Sequence, residues 1–192
     1  AGLAILENCI SRNWDSVPSI SYLQHDGSLV RKPKAARLGD LSAVPSPYLD
    51  GVFEPLMAAH PTENWMSMWE TNRGCPFSCT FCDWGSAVQS KVYPFDLERL
   101  YGEVDWFAAH EIGFIWCCDA NYGILPRDIE IAKYMAKTKK QFGYPGIFQV
   151  QTAKNVTERA YEVQMILSES GLSRGADIAL QSADETTLKK IK

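Results

Sequence analysis

The run Cys75-Pro76-Phe77-Ser78-Cys79-Thr80-Phe81-Cys82 puts three thiols within eight residues, and no other stretch restricts the chain as much. The spacing C-x3-C-x2-C fits a site-differentiated iron–sulfur cluster, in which three thiolates hold three irons of a cubane and the fourth corner is left to another ligand. Structural clusters and closed zinc sites are normally satisfied by four protein ligands. A zinc knuckle would need its fourth ligand at short range, where the sequence offers only Asp83 and distant histidines. A disulfide framework fits less well still. The six cysteines, at positions 9, 75, 79, 82, 117 and 118, are sparse for this length and follow no signal-peptide pattern.

With 192 residues, 46% hydrophobic and 22% charged, the chain can bury one ordinary core with an appendage. No apolar run approaches the roughly 18–20 residues of a bilayer span. The expectation is a protein of the reducing cytoplasm without membrane contact, as an exposed cluster requires. A net charge of −4 without blocks of like charge advertises no nucleic-acid surface. The chain opens Ala1-Gly2-Leu3 and stops at Lys189-Lys190-Ile191-Lys192 in the first turns of a helix, which reads as a piece of a longer protein.

Three regions are expected. Residues 1–30 hold a short amphipathic start (Leu3, Ile5, Leu6, Ile10) and a hairpin turning at Asp26-Gly27. Residues 31–60, with Pro33, Pro45, Pro47 and Pro55 among Ser and Asp, have the texture of a linker. From 61 to 192 strands and helices alternate. The strands are expected at Met66 to Thr71, Ile112 to Cys118, Ile147 to Gln151 and Asp177 to Gln181. The helices start at Asp96, at Asp128 (to about Gln141, stopped by Gly143 and Pro145), at Thr157 (to about Ser170, ended by Gly171) and at Asp184. The connections are long enough for parallel crossovers, so the fold class is α/β and a partial barrel is the natural architecture.

The stretch from Glu70 through Cys75, Cys79 and Cys82 to Gly85, with aromatic Phe81 before the third cysteine, resembles the cluster loop of radical S-adenosylmethionine enzymes. That resemblance implies a (β/α)6 barrel, of which strands one to four are present here. It also implies a [4Fe–4S] cluster on Cys75, Cys79 and Cys82, whose fourth iron chelates S-adenosylmethionine. One electron then cleaves the sulfonium to a 5′-deoxyadenosyl radical, delivered by a donor such as flavodoxin or ferredoxin.

In such barrels the site gathers at the carboxyl ends of the strands. After strand two, Asp119 and Asn121 stand where the family has an acceptor segment for the cofactor's amino group; the plainer role is capping the next turn. Gln149, Gln151, Lys154 and Asn155 follow strand three. Ser182, in the Gln181-Ser182 segment, is placed to bond the methionyl end or to serve as a helix N-cap. Adjacent Cys117 and Cys118 are expected as packing residues, since successive strand side chains point opposite ways. His25, His60 and His110 fall into no ligand spacing, and Trp84 either shields the cluster or packs the loop.

The segment Gly39 to Gly51 is similar to the connector in members that carry an upstream cobalamin-binding domain. It implies that residues 1–30 are the tail of such a domain and that the activity is a cobalamin-dependent methyl transfer. Two other readings stay open. One is a methylthiotransferase-like radical enzyme without cobalamin, against which the lone upstream Cys9 argues. The other is a binding or electron-transfer module merely stapled by metal. The small-molecule substrate is not legible.

Overall fold

The Asp26-Gly27 pair makes the turn that its sequence predicts. Gly27 adopts φ +81°, a conformation that glycine reaches without strain, and the Asp26 carboxylate accepts the Ser28 amide at 2.9 Å. The turn joins β1 (Ser21–Leu23) to β2 (Leu29–Arg31) as an antiparallel pair. Helix α1 (Gly2–Asn8) precedes them, with Leu3 and Leu6 exposed. The computed structural model describes residues 2–36, 38–82, 91–153, 158–175 and 180–191. It divides the chain into two compact units, Ala1–Gly39 and Asp40–Lys192.

The proline-rich stretch expected as a linker over 31–60 carries this division, and from Asp40 onward it packs within the second unit. Leu41, Ser46 and Tyr48 are buried there. Tyr48 takes a hydrogen bond from Ser67 at 2.8 Å and donates to the carbonyl of Met68. Ser46 donates to the Glu103 carboxylate at 2.5 Å. Composition alone hides such anchoring, because a segment rich in Pro and Ser is still fixed when one tyrosine enters the core. Helix α2 (Glu54–Ala59) follows.

The remaining elements run β3 (Met66–Trp69), β4 (Asn72–Gly74), β5 (Val92–Pro94), α3 (Leu97–Ala109), β6 (Phe114–Cys117), α4 (Arg127–Phe142), β7 (Ile147–Gln149), α5 (Glu158–Glu169) and α6 (Glu185–Lys190). Asp96 caps α3 by accepting the Glu98 amide at 3.1 Å, and Leu100, Val104 and Phe107 form its buried stripe. Gly143, left-handed at φ +81°, ends α4. Ala160, Val163 and Leu167 are the buried positions of α5.

Among the described residues the parallel sheet has the order β3-β6-β7, with Trp69 opposite Cys117 and Trp116 opposite Gln149. Its two faces differ. Ser67, Trp69, Ile115, Cys117 and Phe148 are buried on one, where Trp69 meets Phe107 edge-on at 5.6 Å. Each large apolar side chain so buried contributes roughly 1.5–3 kcal/mol. On the other face Met66, Met68 and Trp116 remain 67%, 70% and 38% exposed. Parallel sheets are ordinarily covered on both faces.

Four elements depart from the sequence expectation at their boundaries. The first strand, expected to reach Thr71, ends at Trp69, and Asn72–Gly74 pairs instead with Val92–Pro94 in an antiparallel ribbon. No local periodicity reveals a partner on the far side of the cysteine loop. Asp128 does not cap α4 but lies inside its first turn, and its carboxylate reaches back to the amides of Gly123 and Leu125 at 2.8 and 2.9 Å. The second and third strands are shorter than expected, Phe114–Cys117 and Ile147–Gln149. The fourth, expected at Asp177 to Gln181, falls largely outside the described residues, as does Thr157.

Candidate functional site

The chain between β3 and the first cysteine is held by two side chains that arrive from later in the sequence. Asp119, just beyond β6, accepts the amides of Thr71 at 2.8 Å and Asn72 at 3.2 Å on one oxygen. Its other oxygen takes the Asn72 amide group at 2.7 Å and the Thr71 hydroxyl. In addition, Arg127 donates to the carbonyl of Thr71 at 2.6 Å and to that of Phe95. Hydrogen bonds to charged groups contribute about 1.5–3 kcal/mol each, so this short segment is heavily restrained.

Gly74 completes the frame. Its φ of +119° suits glycine, and a Cβ there would stand 1.8 Å from the Lys91 carbonyl oxygen. The next residue, Cys75, is buried, whereas Cys79 and Cys82 are half-buried. Cys79 and Cys82 share a turn in which the Cys82 amide donates to the Cys79 carbonyl at 3.1 Å. Among the described residues no three Cys, His, Asp or Glu side chains stand together as a metal-holding group. The loop therefore supplies three thiols of the right chemistry, one buried and two half-buried, without gathering them.

The sequence placed Asp119 and Asn121 in one role, and the structure separates them. A carboxylate has about four acceptor positions, and Thr71 and Asn72 fill those of Asp119. It has nothing left to offer a cofactor's amino group and serves instead as a brace. Burial pushes its carboxyl up to about 6, with the hydrogen bonds from Thr71 and Asn72 pulling the other way. Asn121 is buried at 3% exposure, and its amide nitrogen donates to the Cys75 sulfur at 3.2 Å. Its oxygen has no partner among the described residues.

The other expected residues are scattered. Phe81 is 59% exposed. Ser182 accepts the Asp184 amide at 3.1 Å, while Asp184 itself caps α6. Gln149 is half-buried at the end of β7, and the Gln151 carbonyl accepts the Tyr122 amide at 2.8 Å. Lys154, Asn155, Asp83 and Trp84 lie outside the described residues. Cys117 is in the core, its thiol pushed far up by burial, and Cys118 is half-buried beside it. His110 stacks on Trp106 with ring centroids 3.9 Å apart.

Sequence reading missed Thr71, Asn72, Arg127 and Glu103. Glu103 is buried on α3, where it accepts the Trp69 indole at 2.6 Å and pairs with Arg99 at 2.9 Å. A signal existed for it: position 103 follows Leu100 by three and precedes Phe107 by four, so the charge sits on the apolar stripe. Arg127 offered no comparable signal, because a basic residue at the start of a helix usually faces water.

No family model matches the chain. Two curated sequences do. One is the cobalamin-dependent radical SAM methyltransferase TokK of Streptomyces tokunonensis, and the other is the 2-(S-pantetheinyl)-carbapenam-3-carboxylate methyltransferase of Streptantibioticus cattleyicolor. Each is 40% identical over 181 residues, which is 93% of this chain and 26% of the relative. The chain thus spans about a quarter of the length of these relatives. Solved structures of OxsB, a cobalamin-dependent S-adenosylmethionine radical enzyme, share the fold. The form with aqua-cobalamin and S-adenosylmethionine bound gives a TM-score of 0.60 at 21% identity, over 98% of this chain and 28% of that one. The apo form gives 0.62, also at 21% identity. In sequence, then, the chain is similar to a segment of these two methyltransferases, one of them a cobalamin-dependent radical SAM enzyme, and in fold it is similar to a segment of OxsB.

Proposed function

We propose that this chain is the cluster-bearing part of a cobalamin-dependent radical S-adenosylmethionine methyltransferase, and that β3, β6 and β7 are the first three strands of its barrel. Cys75, Cys79 and Cys82 would hold a [4Fe–4S] cluster, and the open face of the sheet, with Met66, Met68 and Trp116, would look into the barrel. When bound, the reduced cluster supplies the electron that cleaves the sulfonium of S-adenosylmethionine to the 5′-deoxyadenosyl radical, and cobalamin supplies the methyl carrier.

The chain's own residues do the positioning. Asp119 and Arg127 fix the segment from Thr71 to Asn72, so that Cys75 is presented from a rigid edge. The Asn121 oxygen, buried and without a partner among the described residues, is the acceptor offered to the amino group of S-adenosylmethionine. The apolar face excludes water from the space where the radical would act. Cobalamin would be bound outside this chain, with residues 1–30 belonging to that neighbouring domain. A flavodoxin- or ferredoxin-like donor in a reducing cytoplasm would bring the electron. Among the described residues no helix is long and apolar enough to cross a membrane.

The observation that carries this reading is the buried Cys75 thiol, placed against an amide whose oxygen has no partner among the described residues. Anaerobic reconstitution of the chain, with iron and zinc counts and electron paramagnetic resonance, tests it. The expected result is a reduced [4Fe–4S] signal that changes when S-adenosylmethionine is added. Zinc without iron, or a cluster signal indifferent to S-adenosylmethionine, would overturn it.

A further inference from the structure

Asn121 is unusually well fixed for a loop residue. Its neighbour Tyr122 is fully buried, meets Phe148 edge-on at 5.3 Å and bridges in parallel to Thr152. The Tyr122 amide donates to Gln151 at 2.8 Å and its carbonyl accepts the Ala153 amide at 2.9 Å. One residue further, the Gly123 amide is held by Asp128 at 2.8 Å. On the other side stands Asp119, spent on Thr71 and Asn72. The backbone is therefore pinned before and after Asn121, and its side chain reaches Cys75 from a scaffold as rigid as the core.

The chemistry of the pair has one sense. A thiol both donates and accepts weakly, but a thiolate only accepts, so once Cys75 binds iron the amide must face it with N–H. The buried nitrogen already does so at 3.2 Å. Cys79 and Cys82, half-buried, receive no side-chain donor among the hydrogen bonds of the described residues.

We propose that Asn121 is a positioning and tuning residue for one cluster ligand: its amide N–H bonds the Cys75 thiolate and raises the reduction potential of the iron–sulfur centre. This rests on the cluster reading above and adds an asymmetry to it. A donor at a ligand sulfur withdraws charge from the thiolate, which favours the state carrying the extra electron; hydrogen bonds to cluster sulfurs are among the factors that set such potentials. Reduction would thus be easier at the side of Cys75 than the bare thiolate set would give.

The test is a redox titration of the reconstituted chain followed by electron paramagnetic resonance, for the natural sequence and Asn121→Leu, an apolar residue of similar size. Removing the donor is expected to lower the reduced-to-oxidised ratio at fixed potential on the order of tenfold, equivalent to a midpoint about 59 mV lower for one electron. Pulsed measurements on protein with 15N-labelled asparagine side chains should show a nitrogen coupling that disappears in Asn121→Leu. Iron retained with an unshifted midpoint, or no nitrogen coupling in the natural sequence, would overturn the proposal. Should Asn121→Leu fail to fold, Asn121→Ala removes the donor without adding bulk or charge, and the same two readings decide. Absence of any cluster in the natural sequence would instead sink the parent reading and this one with it, whereas a normal cluster with an unshifted midpoint sinks only this one.

Discussion

The base and the tip of the cysteine loop are built on opposite plans. At the base, Thr71 and Asn72 give their amides and side chains to Asp119, the Thr71 carbonyl receives Arg127, and Gly74 leaves no room beside Lys91. At the tip, Cys79 and Cys82 share one turn, Phe81 is exposed, and the Thr80 amide meets the Ile191 carbonyl at 3.4 Å. One thiol is thus set by the fold before any metal arrives, and two are left adaptable. Assembly then orders only the short span after Cys75, and the entropy cost of fixing backbone falls on few residues.

The severest way to break this contrast is Gly74→Ala. A Cβ 1.8 Å from a backbone oxygen, at a φ of +119°, forces β4 from β5. We expect a loss of about 3 kcal/mol or more, seen in denaturant unfolding, together with failure to take up iron. Next comes Asp119→Ala, which strands the buried donors of Thr71 and Asn72; the expected cost is about 3 kcal/mol, again with poor iron uptake.

Asp119 also sharpens the comparison through pH. Its carboxyl is raised by burial to about 6, from 3.8. The folded state therefore holds a proton that the unfolded state has released between those values, and stability falls as pH rises from about 4 to about 6, then levels. The slope integrates to roughly 3 kcal/mol. Unfolding of the metal-free chain at pH 4.5 and 7 checks this, and Asp119→Asn should flatten the profile. A profile that rises through this window would contradict the assignment.

Arg127→Met should cost about 1.5–3 kcal/mol by releasing the carbonyls of Thr71 and Phe95. The smallest structural effects are expected at the tip. Cys79→Ser and Cys82→Ser should stay within about 0.5 kcal/mol of the natural chain and still abolish the iron–sulfur signal. A large stability loss at either would erase the distinction between base and tip.

The parts of this arrangement that sequence reading reached are those with local signatures. Three thiols at fixed spacing, Asp96 ahead of an apolar stripe, Gly143 after another, and Asp26-Gly27 between two short runs each announce themselves within a few residues. The ribbon of β4 and β5 does not, because its partner lies across the cysteine loop and its strands are three residues each. Asp119 was legible as a polar residue at a strand's end, but its partners stand 47 and 48 positions earlier, and only the fold reveals that they exhaust it. Asn121 was legible as an acceptor; the donor half of the same amide needed Cys75 in view.

The strand order has a consequence for amide hydrogen exchange. β6 is paired on both sides, whereas β3 and β7 are edges of the described sheet, so opening by fraying reaches β6 last. Asn121 hangs from the loop that leaves this most protected strand, while Cys75 follows the edge strand β3 and its ribbon. Fraying of the edge therefore leaves Asn121 in place, and Cys75 closes back onto a partner that has not moved.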